Sequence, residues 1–148
     1  MITQLKPDGI THDLLAMGSL FFREAKLPGV FNAEYFQKTW SCLIANGCGN
    51  IWTVSKDDQI IGAIGGLQHP DICTGDLVVQ EAFWFMHPSQ RGGMSALRLY
   101  HALADWAMYL NARRLCMSTT FAPGCEKLRQ LYHNLGFEAV DVFYFKTL

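Results

Sequence analysis

The stretch from Leu77 to Thr120 constrains the fold more than any other part of this chain. An apolar run, Leu77 to His87, is stopped by Pro88, and the paired glycines Gly92-Gly93 follow. From about Met94 to Asn111, Leu99, Leu103, Trp106, Ala107 and Leu110 recur as a helical stripe opposed by Arg98, His101 and Asp105. Arg114 to Thr120 then reads as another strand. A strand, a helix of this length and a second strand predict a right-handed parallel crossover, and so a mixed α/β sheet. The junction at residues 85 to 96 is where a ligand is expected, because helix N-termini at the C-terminal edges of strands collect anions.

The flanking segments fill out that sheet. Ile2 to Lys6 reads as an edge strand, and Thr11 caps a predicted helix through about Glu24. Pro28-Gly29 breaks the chain before Asn32 caps a second helix to about Asn46, stopped by Gly47 and Gly49. Ile51 to Ser55 and Gln59 to Gln68 form a hairpin about Lys56-Asp57-Asp58, with Gly62, Gly65 and Gly66 marking close packing or a bulge. The loop His69 to Asp76 leads into the central strand. Beyond the crossover come a loop at Phe121-Ala122-Pro123-Gly124, a helix from Glu126 to Leu135 closed by Gly136, and one or two final strands in Phe137 to Leu148. With no repeat or linker, residues 1–148 are expected to form one domain.

Composition narrows the function. Lys+Arg 12 against Asp+Glu 13 gives a net charge of −1, and no basic cluster is present, which argues against nucleic acid and anionic membrane as partners. The charged fraction of 17%, beside Phe 10, Tyr 5 and Trp 4, leaves more apolar area than one small core hides. An acceptor cleft, a homodimer interface, or both are expected to absorb it. The five cysteines, Cys42, Cys48, Cys73, Cys116 and Cys125, contain no CxxC and fall mostly in apolar runs that read as core, as reduced intracellular thiols do. The first residues lack a signal-peptide pattern and no apolar run approaches a membrane span, so a cytoplasmic location is expected. Histidine and cysteine spacings match no metal motif, and no G-x-S-x-G elbow occurs.

At the junction, neither the phosphate loop G-x-x-x-x-G-K-[ST] nor the dinucleotide motif G-x-G-x-x-G is found. What stands there is Gln90-Arg91-Gly92-Gly93-Met94-Ser95, after an apolar strand that ends in His87-Pro88. It resembles the [Q/R]-x-x-G-x-[G/A] pyrophosphate loop of the GNAT superfamily of acyl-CoA N-acyltransferases. About forty residues on, Leu131-Tyr132-His133-Asn134-Leu135-Gly136-Phe137 is similar to that family's L-Y-x-x-L-G-F segment. The resemblance spans essentially the whole chain. It implies a mostly antiparallel sheet flanked by about four helices, with a splayed parallel strand pair that holds the cofactor.

The resemblance further implies acetyl-CoA as co-substrate, a primary amine of a small molecule or peptide as acceptor, and direct attack in a ternary complex. Its diphosphate would rest on the amides of Arg91, Gly92, Gly93, Met94 and Ser95, and its pantetheine arm would pair with the edge at Phe85, Met86 and His87. Tyr132 is the expected acid for the departing thiolate; packing, or a bond to the sulfur without donation, is the other role open to it. Glu81, the one carboxylate in the apolar strand among Val79, Phe83 and Trp84, should have a raised pKa and is the expected base. A partner arginine for Glu81, or a relay through His87 or His133, stays open beside it.

The chain departs from the family pattern in three places. Ser95 stands at the last loop position, only Ser89 separates Pro88 from Gln90, and Cys125 stands seven residues before Tyr132, where an asparagine commonly caps the helix and contacts the cofactor. Cys125 is therefore either a pantetheine contact or an inert helix start. The acceptor is expected between the first two helices and the sheet, where Phe21, Phe22, Phe31, Tyr35, Phe36 and Trp40 concentrate, with Phe36 and Trp40 read as core. A protein of this fold that binds an acyl-CoA or a partner without turnover is the alternative.

Overall fold

The computed structural model describes residues 1–119 and 125–148. Five strands, β1 (Ile2–Gln4), β2 (Gly49–Lys56), β3 (Gln59–Pro70), β4 (Leu77–Met86) and β5 (Arg114–Cys116), lie side by side in chain order. The first four are antiparallel and β4–β5 is parallel, the mixed, mostly antiparallel sheet that was expected. Four α-helices flank it: α1 (His12–Glu24), α2 (Ala33–Ala45), α3 (Met94–Tyr109) and α4 (Glu126–Asn134).

Local chemistry explains the boundaries. The Thr11 hydroxyl and the Asn32 amide oxygen accept from the amides of Leu14 and Tyr35, capping α1 and α2 as their positions predict. Asp57 and Asp58 both take positive φ, 50° and 60°, and close the β2–β3 hairpin with a tight turn that continues the twist of the strands.

The sheet is buried on both faces. On one, Leu14 and Met17 of α1 and Trp40 of α2 pack with Ile51, Ala63 and Phe85. On the other, Leu99, Leu103 and Ala107 of α3 pack with Trp52, Ile64, Val79 and Met86. The β3–β4 register shifts between Gly65 and Gly66, and both glycines are needed for packing. A Cβ on Gly65 would stand 2.9 Å from the Trp40 ring and against Phe83, and one on Gly66 would run into Leu103. The bulge anticipated at these glycines is thus the place where helices from both faces press closest.

Three expectations are corrected. Residues 137–148 form no strand; Val140, Phe143, Tyr144 and Phe145 are exposed. A strand needs a neighbour to take up its amides and carbonyls, and the described β5 is only three residues long. Its end at Cys116, short of Thr120, leaves Met117 to Thr119 outside the ladder, while Thr120 and the loop at residues 121–124 lie outside the described residues. The cysteines are not core residues either. Cys42, Cys48, Cys73 and Cys116 are exposed and Cys125 is half-buried; Cys48 and Cys73 lie in loops, outside any helix or strand.

Candidate active site

The parallel pairing of β4 with β5 covers only Val78, Val79 and Gln80. From Glu81 onward β4 remains bonded to β3, but no described strand lies along its other edge. The splayed pair is therefore present. His87 donates its amide to the Ile61 carbonyl on β3 at 2.8 Å, so strand alternation turns the Met86 amide and carbonyl toward the open edge. The side chains of Phe85 and Met86 are buried in opposite cores, which leaves their backbone to serve that edge.

At the end of this edge the chain makes one 3₁₀ turn, Pro88–Gln90, capped by the His87 ring, and then enters α3. Gly92 has φ 83°, a conformation that L side chains rarely adopt, and Gly93 precedes α3 without a side-chain cap. A Cβ at either glycine would meet nothing within 4 Å. Among the described residues, the amides of Gly92, Gly93, Met94 and Ser95 donate to nothing, and Met94 is exposed. They sit at the positive end of a helix dipole, open to solvent, and form a cradle suited to a diphosphate. The Arg91 side chain is used elsewhere. Its Nε donates to the Met86 carbonyl at 3.0 Å, its guanidinium pairs with Glu24 at the end of α1, and its Cζ lies 5.3 Å from the Phe85 ring centre.

Across the splay, Glu81 and Tyr132 meet at one residue that sequence reasoning did not single out. The Ser118 amide and hydroxyl donate to Glu81 Oε2 at 3.0 and 2.7 Å, and the Tyr132 hydroxyl donates to the Ser118 carbonyl at 2.9 Å. Glu81 is 5% exposed and, among the described residues, no arginine or lysine pairs with it. Burial pushes its carboxyl above the ordinary value, against the lowering effect of the Ser118 bonds. Burial first, then the nearby Glu81 charge and Cys125, push the Tyr132 phenol well above its ordinary range. Both groups are therefore biased toward their protonated forms. No sequence motif marks Ser118; its place just past the end of β5, opposite Glu81, is a product of the parallel register.

The end of α4 positions the phenol. Gly136, at φ 87°, lets the Gly136 amide reach the His133 carbonyl and the Phe137 amide reach the Tyr132 carbonyl, both at 3.0 Å. Phe137 thus folds back to 5.7 Å from the Tyr132 ring. The Trp84 ring lies between those of Tyr100 and Tyr132, 6.3 Å from each, and its buried Nε1 has no hydrogen-bond partner among the described residues. A buried donor without an acceptor is uncommon, and a carbonyl of a bound ligand would satisfy it. With the unspent amides of the cradle, this donor fits a cofactor that carries a diphosphate and carbonyl groups.

The two histidines stand apart from this group. The His87 ring contacts Ser89, His133 is exposed, and neither bonds to Glu81, Ser118 or Tyr132. The Cys125 backbone is helical and its thiol does not cap α4. Among the described residues no group of three His, Cys, Asp or Glu forms a metal site, and no helix is long and apolar enough to cross a membrane.

On the opposite face of β4, a cavity of about 240 Å³ lies between α1, α2 and the sheet. Phe21, Phe22, Phe31, Phe36 and Trp40 line it, whereas Tyr35 is 69% exposed and does not. Trp40 doubles as core, as expected; Phe36 packs against that core and also lines the cavity.

Residues 16–137 match the family model described as the acetyltransferase (GNAT) family. Among solved structures, the chain is similar to a predicted acetyltransferase with acetyl-CoA from Clostridium acetobutylicum, with TM-score 0.79, 16% identity, and 99% and 95% of the two chains covered. A ribosomal-protein-alanine N-acetyltransferase from Brucella melitensis biovar Abortus 2308 superposes with TM-score 0.73 at 20% identity over 100% of this chain and 99% of that one. An aminoglycoside acetyltransferase from an uncultured soil metagenomic sample, in complex with sisomicin, gives TM-score 0.77 at 10% identity over 100% and 95%. At these identities the likeness is one of fold. No curated protein matches the chain.

Proposed function

The chain belongs to the acetyltransferase (GNAT) family, and from that membership we propose that it moves an acetyl group from acetyl-CoA to a primary amine by direct attack in a ternary complex. The observation that carries the proposal is the run of unspent amides from Gly92 to Ser95, set at the end of a strand edge that no described strand covers. Bound acetyl-CoA supplies the acyl group as an activated thioester and leaves as a thiol.

The protein's own work is positioning, polarisation and two proton transfers. The Gly92 to Ser95 amides hold the diphosphate, and the open β4 edge holds the pantetheine arm. The Met86 amide, turned to that edge, polarises the acyl carbonyl by donating to the oxygen on which charge develops. Glu81 takes the proton of the attacking amine; its raised pKa makes it a stronger base than an exposed carboxylate once ionised. Tyr132 holds the proton for the departing sulfur, releasing the Ser118 carbonyl as it turns to donate.

Calorimetric titration with acetyl-CoA, followed by a thiol-release assay over amines and peptides, tests the proposal. Micromolar binding with acceptor-dependent thiol release supports it. Binding with no release from any acceptor assigns the fold to acyl-CoA binding without turnover.

A further inference from the structure

We infer that the acceptor is a small amine bearing an aromatic or comparably bulky apolar group, with that group seated in the cavity between α1, α2 and the sheet; this rests on the acetyl-transfer reading above and names its substrate class. Most of the walls are aromatic. Phe31 and Phe36 are 5.4 Å apart, Phe36 and Phe83 5.8 Å, and Phe21 meets Phe85 edge-on at 5.6 Å. Ring edges and faces arranged in this way accept a further ring.

Size and polarity agree. An apolar cavity of about 150 Å³ takes up benzene, so about 240 Å³ holds a monocyclic arene together with a short alkyl tether. The space exists because small residues border it. Gly18 lets the Phe31 ring approach α1, since a Cβ there would lie 2.8 Å from Phe31 Cζ, and Ala63 and Ala82 occupy wall positions. None of the lining side chains is charged, and the nearby Glu24 carboxylate is committed to Arg91. An aminosugar or polyamine would have to bury cations and hydroxyls there without partners.

The cavity also shares its strand with the chemistry. Phe85 lies on the cavity wall while its neighbour Met86 turns its amide to the open edge. Ala82, which lines the cavity and is exposed, is the chain neighbour of Glu81. A ring among these phenylalanines therefore carries a tethered amine toward the edge where the acyl group would lie.

Two measurements test this. In the first, 2-phenylethanol, which has the ring but no amine, is titrated into the protein and followed by aromatic NMR shifts and tryptophan fluorescence. Saturable binding that Ala82→Phe weakens about tenfold or more supports an arene site; no binding overturns it. In the second, acetyl-CoA turnover is compared for 2-phenylethylamine, tryptamine, spermidine, kanamycin and an alanyl peptide. The arylalkylamines should exceed the others in kcat/KM by about tenfold or more. Ala82→Phe should raise their KM while leaving acetyl-CoA affinity and the thermal midpoint unchanged. Preference for spermidine, kanamycin or the peptide overturns the inference. Thiol release from no amine, with 2-phenylethanol still bound, overturns acetyl transfer itself and leaves the cavity an arene site.

Discussion

Tyr132 donates its hydroxyl hydrogen to the Ser118 carbonyl at 2.9 Å, and the amide and hydroxyl of that serine donate to Glu81. Ser118, two residues past the end of β5, thereby joins a carboxylate on β4 to a phenol on α4. The two groups proposed as base and acid are electrostatically coupled through it, and the Glu81 charge is one reason the phenol stays protonated.

Glu81→Gln tests the base. The amide oxygen can still accept from Ser118, so the fold should survive while kcat falls by roughly 10²- to 10⁴-fold. Stability supplies an independent readout. Glu81 has a folded-state pKa above its unfolded value, so burial adds no ionisation penalty below the ordinary value of 4.5. Stability is then lost as pH rises through the folded-state pKa. Thermal melts of the wild type between pH 4 and 9 should show that decline, and Glu81→Gln should flatten it. Unchanged turnover removes Glu81 from the proton path.

Tyr132→Phe keeps the ring that stacks on Trp84 and meets Phe137 at a tilt, and removes the donor. Turnover should drop by roughly ten- to a thousandfold, with acetyl-CoA affinity within about twofold of the wild type. Single-turnover thiol release together with calorimetry separates the two effects. An unaltered rate leaves the phenol a packing group.

Trp84→Phe retains the aromatic stack between Tyr100 and Tyr132 but deletes the orphaned Nε1 donor. The donor has no partner among the described residues, so its loss removes no hydrogen bond there, and the smaller ring should lower the thermal midpoint only through the lost packing. If that N–H meets a carbonyl of bound acetyl-CoA, affinity for acetyl-CoA weakens by about threefold to tenfold, the worth of one neutral hydrogen bond. Equal affinity in the two proteins means that the donor never reaches the cofactor.

Gly93→Glu places bulk and negative charge in the cradle. A Cβ there meets nothing within 4 Å, so the variant should fold with a far-ultraviolet spectrum like the wild type's. Acetyl-CoA binding should fall below detection by calorimetry. Normal binding to this variant would place the diphosphate elsewhere.

Much of this site was legible because its signals are local. Thr11 and Asn32 cap helices within three residues, and Gly92 and Gly136 take positive φ where the chain must turn. Such constraints act over a few bonds, so residue type alone carries them. The same holds for the Gly136-Phe137 closure that fixes the Tyr132 ring.

The sequence by itself therefore determined the crossover unit, the glycine cradle at its junction, the helix carrying Tyr132 and the apolar setting of Glu81. Only the tertiary structure decided that Ser118 joins Glu81 to Tyr132 across 37 and 14 residues, that the Arg91 side chain braces α1 rather than facing the cradle, and that the aromatic residues of α1 and α2 enclose a cavity. It also decided that four cysteines face solvent and that residues 137–148 pair with no strand. The reason is physical: a cap or a turn is satisfied by its own neighbours. A hydrogen bond between strands, or a ring against a ring from another helix, depends on register and packing that no short window of sequence contains.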